Sequence, residues 1–370
     1  MEDLSDSDAE QGLSDESIWK KNSRLFYCIM ISQKLEWPSL TIDWLSYKGN
    51  EEKLGYTTHR IAYGTYTSSQ EPEKIIIDSV KIPNDSISKQ EIETIVRNNK
   101  VFSNLVMMNI HGEPNRIRQH PCMDFTVACK SSNGNVYVYD YSKVSGNSSK
   151  GLTVVLNGHS EEGYGLSWNC FSGGENMLAS GSYDKKVCYW DYGSLNTEPV
   201  WSYLHEDIVE DVAWAGPNHL LSVSDDKTLI LHDTRCNSCS IYSNQHDSCI
   251  NSIDCNKINP ILLTTSSSDH TVKTWDIRSL SFPTKIIKTP SEAYLSKWAP
   301  FSDHFLAYST NDNKLTIWDT EKQNPCFIHE GHFARINEFS WNQHEQFLIA
   351  SVDEDNTMQV WCMHPGYLGS

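Results

Sequence analysis

A chain of 370 residues, 38% of them hydrophobic, has ample material for a large core, and its formal net charge of -18 argues against direct nucleic-acid binding, because phosphates need a basic face. No run of eighteen apolar residues occurs and the first thirty residues lack a basic stretch followed by an apolar one, so neither a membrane span nor a secretory signal is expected. The eleven cysteines are scattered without a framework, which points to free thiols in a reducing compartment. Cys236 and Cys239 have no matching second pair, so no metal site and no cofactor are expected.

In chain order, residues 1–14 read as an acidic disordered tail: Glu2, Asp3, Asp6, Asp8 and Glu10 occur without a base. Residues 15–34 are predicted to form an N-terminal α-helix, with Ser14 or Asp15 as cap and Ile18, Leu25, Phe26, Ile29 and Met30 near one stripe at helical spacing. Residues 35–364 are assigned to a propeller and 365–370 to a C-terminal tail. Leu40–Leu45, Arg60–Thr67 and Lys74–Ile82 are rich in Ile, Tyr and Thr and end in turn residues, as strands of a degenerate first blade would. Asn84 to Lys100 reads as a long polar loop.

Six clearer repeats follow. In each, a turn residue precedes a ring by six positions: Asn133 and Tyr139, Asp184 and Trp190, Asp226 and His232, Asp269 and Trp275, Asp312 and Trp318, Asp355 and Trp361. A repeat of about 43 residues fits a four-stranded blade, and one blade plus six predicts a closed, all-β, seven-bladed propeller. The last repeat stops soon after Trp361, so the segment around Leu35 to Pro38 is expected to supply its missing outer strand. A His precedes the turn acid in four repeats, pairing His159 with Asp184, His205 with Asp226, His246 with Asp269 and His332 with Asp355; Thr289 replaces it in a fifth. These pairs are assigned to structure, as imidazole–carboxylate bonds pinning turns to strands. No P-loop, HExxH, GxSxG or helix-opening GxGxxG occurs, so the chain is read as a binding scaffold and not an enzyme.

Three and five residues beyond each His position, two side chains point to the same side at the start of an inner strand. Around the ring these are Glu113 and Asn115, Glu162 and Tyr164, Ile208 and Glu210, Cys249 and Asn251, Glu292 and Tyr294, Arg335 and Asn337. Carboxylates, amides and phenol rings at one mouth suit a long cationic side chain, with Arg335 the only base among them.

Five stretches resemble the retinoblastoma-binding WD-repeat proteins, the histone-binding small subunits of chromatin assembly factor, deacetylase, remodelling and Polycomb complexes. They are Ile18-Trp19-Lys20-Lys21-Asn22, Leu35-Glu36-Trp37-Pro38-Ser39-Leu40-Thr41, Gly112-Glu113-Pro114-Asn115-Arg116, Glu162-Gly163-Tyr164-Gly165-Leu166-Ser167-Trp168-Asn169, and Glu354-Asp355-Asn356 followed by Met358-Gln359-Val360-Trp361. The resemblance implies a nuclear, non-enzymatic subunit, monomeric within hetero-complexes, whose top face takes the basic tail of histone H3 on Glu113, Asn115, Glu162, Tyr164, Glu210, Asn251, Glu292, Tyr294, Glu354 and Asn356. Tyr294 stands where the family usually has Phe, and Cys249 where Glu is common. The family's second site grips the first helix of histone H4 between its N-terminal helix and an acidic insertion in the penultimate blade. Here Leu25, Phe26 and Ile29 remain as contacts, Arg24 and Cys28 replace a Pro and an Asp, and Trp318 to His332 spans no more residues than His232 to His246. Altered histone H4 binding is therefore expected. The competing reading is a WD-repeat adaptor, such as a ubiquitin-ligase substrate receptor, reading another basic peptide.

Overall fold

The computed structural model describes residues 19, 22–23, 25–51, 55–83, 101–144, 151–236, 238–242 and 245–368. The acidic tail and the loop 84–100 lie outside the described residues. Among the described residues seven four-stranded antiparallel sheets make up the fold, a seven-bladed propeller. The degenerate first blade is real: Ile42–Glu51, Tyr56–Gly64, Lys74–Pro83 and Phe102–Asn109 pair in sequence order. Blades two to six are continuous in the same way, opening with the inner strands Pro114–Gln119, Leu166–Trp168, Val209–Trp214, Ile250–Cys255 and Ala293–Trp298.

Blade seven is completed differently from expectation. Its outer strand is Tyr27–Lys34, antiparallel to Thr357–Met363, which leads inward through Leu348–Asp353 to Ile336–Trp341. The helix expected over 15–34 is therefore confined to its first part; Trp19, Asn22, Ser23, Leu25 and Phe26 are helical, and the strand begins at Tyr27. An unpaired edge on Thr357–Met363 needs a partner, and the β-branched Ile29 and Ile31 suit one. The apparent helical stripe through Ile29 and Met30 arises because a bulge between Tyr27 and Ile29 breaks the alternation of the strand. Leu35 to Pro38 is the link that follows, held by Leu35 N–H donating to Asn356 O at 2.7 Å. Further on, Pro365–Leu368 forms a single 3-10 turn whose Tyr367 packs 5.6 Å from Phe327.

The repeat rings form the core between blades. Tyr139, Trp190, Trp275 and Trp361 are among the largest fully buried side chains. Burial pushes the His159 imidazole down to about 4, against the pull of Asp184. The neutral ring donates from Nδ1 to the Asp184 carboxylate at 3.1 Å and accepts at Nε2 from Ser180 Oγ at 2.7 Å. His205 and His246 repeat this with Asp226 and Ser222, and with Asp269 and Thr265. In blade seven the pairing differs: His332 bonds Asp353 at 2.7 Å, not Asp355. Asp353 stands where the other blades have Ser182, Ser224 and Ser267, each accepting the N–H two residues on. Its Oδ1 takes that role toward Asp355 N–H and its Oδ2 reaches the imidazole. Asp355 is freed to turn outward, 2.8 Å from Lys34. Where Thr289 replaces His, Ser291 Oγ holds Asp312 at 3.3 Å, and Trp318, lacking an imidazole neighbour of this kind, is only half-buried.

Blades are stitched side to side along the inner strands. The indoles of Trp168, Trp214 and Trp341 each donate to a carbonyl of the preceding blade, at 3.1–3.2 Å. Asp43, Asp211 and Asp254 accept backbone N–H groups of the next blade. At the centre, the fully buried Glu338 of blade seven accepts from Thr41 Oγ1 at 2.6 Å and Ile42 N at 3.1 Å in blade one, from Arg116 and from Arg118 at 2.6 Å in blade two, and from Lys297 at 2.9 Å in blade six. Burial opposes its charge, but the three cations hold its carboxyl well below the usual carboxylate range. Glu338→Gln keeps the shape and leaves those cations uncompensated, so a loss of about 3–5 kcal/mol is expected in equilibrium denaturation. A change below about 1 kcal/mol, the level of an exposed ion pair, would show that the cluster contributes little.

Candidate functional site at the channel mouth

The predicted pairs do meet at one end of the inner strands, and the cause is a repeated bulge. Register shifts separate Pro114 from Arg116, Val209 from Asp211, Ile250 from Ser252, Ala293 from Leu295 and Ile336 from Glu338. The extra residues are Asn115, Glu210, Asn251, Tyr294 and Asn337, one at the mouth end of each strand. In each of blades two to seven, including blade three where the inner strand has no bulge, the backbone carbonyl of Glu113, Glu162, Ile208, Cys249, Glu292 or Arg335 accepts an N–H from the facing turn, at 2.8–3.2 Å. Its donors are Ser132, Tyr183, Asp225, Ser268, Asn311 and Glu354, in the same order.

That second ring of residues adds Tyr183 and Asp225, which the pair spacing missed. Both sit one position before a turn acid, as Glu354 does, so the offset that places Glu354 at the mouth would have found them. The rings of Tyr164 and Tyr183 lie 6.1 Å apart. Burial pushes both phenols up, and the charges of Glu162 and Glu210 add to the effect. Burial, then Asp225, pushes Glu210 up to about 7. Glu113 is raised by burial, then by Glu73 and Glu162. Asp225 is raised by burial, while a hydrogen bond from the Cys249 thiol favours its charged form. Glu113, Glu162, Glu210 and Asp225 thus form one mutually repelling group around two phenol rings, spanning blades two to four.

The opposite side of the mouth is already occupied. The Arg335 guanidinium lies 3.8 Å from the Tyr294 ring centroid, and its Nη1 is 4.0 Å from Glu354 Oε1. Tyr294 Oη donates to Glu292 at 3.3 Å. This seat shows how the mouth holds a guanidinium, with a ring beneath and a carboxylate beside it, but the protein's own arginine fills it.

The asparagines serve the ring more than the mouth. Asn115 Nδ2 donates to Glu162 at 3.1 Å and to Gly163 O at 3.4 Å, Asn251 Nδ2 to Ala293 O at 2.7 Å and Asn337 Nδ2 to Ser39 O at 3.0 Å, so each tethers the next blade. What remains is acceptor capacity: Asn115 Oδ1 is buried without a partner. Asn356, in the left-handed region at φ 56°, donates to Glu36 O at 3.4 Å. The mouth ends at the Glu338 cluster, where Arg116 Nε donates to Tyr164 O at 2.8 Å. A cavity of about 410 Å³ beyond it, lined by Asp43, Asp211, Asp254, Trp214 and Trp298 among others, contains none of the mouth residues.

Of the three residues expected to face histone H4, Leu25 and Phe26 are exposed on the helical turn, Phe26 against Tyr367 at 6.3 Å. Ile29 is in the closing strand and packs on the core with Leu35 and Val360, so it is not a helix contact. Cys28 also lies in that strand and not in a helix. Trp19 anchors the segment by edge contacts with Tyr27, His329 and Phe333. Among the described residues no His, Cys, Asp and Glu group is arranged to hold a metal ion.

Comparison with known proteins places this architecture. Residues 14–84 match the family model of the histone-binding protein RBBP4 and its counterpart in the CAF1 complex. Residues 150–191, 237–276 and 323–362 match the WD domain, G-beta repeat. The chain is 32% identical over 380 residues to WD-40 repeat-containing protein MSI3 of Arabidopsis thaliana, covering 94% of this chain and 88% of that protein. The chain belongs to the RBBP4/CAF1 histone-binding family. Within that family frame, this member's own Arg335 covers Tyr294, while the acids around Tyr164 and Tyr183 form a separate group. With Glu210 pushed up to about 7 by burial and then by Asp225, a cation binding beside it would have to displace its proton at lower pH. An arginine-bearing peptide is therefore expected to bind more weakly at pH 6 than at pH 8, and titrations at both values with Glu210→Gln should lose that difference.

Proposed function

We propose that this protein is a non-enzymatic histone-binding scaffold that holds the basic tail of histone H3 at the mouth of its propeller, within nuclear chromatin-assembly, deacetylase, remodelling or Polycomb-type complexes. The observation that carries the reading is the convergence of Glu113, Glu162, Glu210 and Asp225 around Tyr164 and Tyr183. Family membership supports it, since the matching family model is described as histone-binding. A tail guanidinium entering between the two phenol rings would trade water for charge-assisted hydrogen bonds to Glu162 and Glu210. Glu292, Tyr294, Glu354, Asn251 and Asn356 complete the site, with Arg335 competing for the Tyr294 face.

Fluorescence titration with a histone H3 tail peptide tests this. Binding should be salt-sensitive, and Glu162→Gln should weaken it by about tenfold or more, at least about 1.4 kcal/mol. Arg335→Ala, by emptying the second seat, should strengthen it. Indifference to Glu162→Gln would remove the reading.

At the side of the propeller, blade six joins Leu315–Asp319 to Asn324–His329 by a tight turn, with no room for the acidic insertion that grips histone H4 in the family. An isolated histone H4 helix peptide is accordingly expected to bind this protein much more weakly than relatives that carry the insertion, by side-by-side calorimetry. Equal affinity would refute that expectation.

A further inference from the structure

The strand that closes the ring carries a cysteine at its irregular point. Tyr27 faces Met363 and Ile29 faces Cys362, so Cys28 is the extra residue of the bulge, set between those two pairs. The sulfurs also converge on one acceptor. Cys28 Sγ lies 3.3 Å from Met363 O and 3.4 Å from Cys362 O, and Cys362 Sγ lies 3.6 Å from Met363 O. A hydrogen bond with the Cys28 sulfur, and then burial, push the Cys362 thiol up. Cys28 is exposed, Cys362 half-buried, and both are in the reduced thiol form.

We propose that Cys28 and Cys362 form an oxidative modification site, in which a peroxide converts the pair into a disulfide that bolts the closing strand to the last strand of the propeller. The exposed Cys28 thiolate attacks one oxygen of hydrogen peroxide, breaking the O–O bond, and becomes a sulfenic acid while the other oxygen leaves as water after protonation. Cys362, losing its proton, then attacks the Cys28 sulfur and expels a second water. The two sulfurs together lose two electrons and the peroxide gains them. Because the bond encloses almost the whole propeller in one covalent loop, it restricts the unfolded chain far more than the folded one. The oxidised protein keeps its closing strand in register under conditions that fray it in the reduced protein.

The test treats the full chain with hydrogen peroxide, blocks remaining thiols, digests with trypsin and maps peptides by mass spectrometry. Residues 25–34 and 336–370 should be recovered as one linked species, two hydrogens lighter than the separate peptides together. The thermal midpoint should rise and return with dithiothreitol. Cys28→Ser should show neither the link nor the rise. Recovery of the two peptides unlinked, in a sample whose exposed Cys236 and Cys239 are oxidised, overturns the proposal. So does a link found only in covalent dimers, or one that leaves the thermal midpoint unmoved.

Discussion

Glu338 is the point on which the ring depends. Its carboxylate is touched from blades one, two and six while it belongs to blade seven, so one side chain ties together the four blades on either side of the seam between blade seven and blade one. A carboxylate sealed in protein is costly unless surrounded by charge and donors, and Arg116, Arg118 and Lys297 are equally costly without it. Burial pushes Lys297 down to about 8 even so. Each of these groups is tolerable only when the ring is complete, which makes closure all-or-none at this place.

The same cluster sets the character of the mouth. Arg116 is bonded to Glu338 and to the Tyr164 carbonyl, and from there its charge, with that of Arg335, favours ionised Glu210 without outweighing burial and the charges of Asp225 and Asp211. Among the acids of the rim, Glu210 owes its place to the repeated bulge. A regular strand would alternate Glu210 away from its neighbours, whereas the extra residue turns it inward. Arg335, just ahead of the inner strand Ile336–Trp341, reaches over the rim and covers Tyr294.

Much of this was legible in the sequence. The blade count followed from the repeat spacing, and the mouth pairs followed from their offset to the His positions, because both reflect a backbone period that side chains obey. Three things were not. The strand Tyr27–Lys34 looked helical because its bulge mimics a helical offset, and its partner lies more than three hundred residues away. Asp353 could not be recognised as the partner of His332, since Asp355 holds the repeat's usual place and only the side-chain directions distinguish them. Glu338 looked like any polar residue on a strand, because its importance comes from four blades that proximity in sequence does not connect. Tyr183 and Asp225 were recoverable by the offset of Glu354, had the facing turns been counted as well as the strands.

The pairing of Cys28 with the 362–363 end joins positions 335 residues apart. During synthesis, the segment holding Cys28 leaves the ribosome long before its partner strand has been made. Blades one to six can each assemble from neighbouring sequence as they emerge, but Tyr27–Lys34 has nothing to pair with until Thr357–Met363 has followed. For that interval it is a bare, partly apolar strand seeking an edge, the kind of segment that invites pairing with another chain. Translation order thus makes the earliest of these strands to appear the last to find its place.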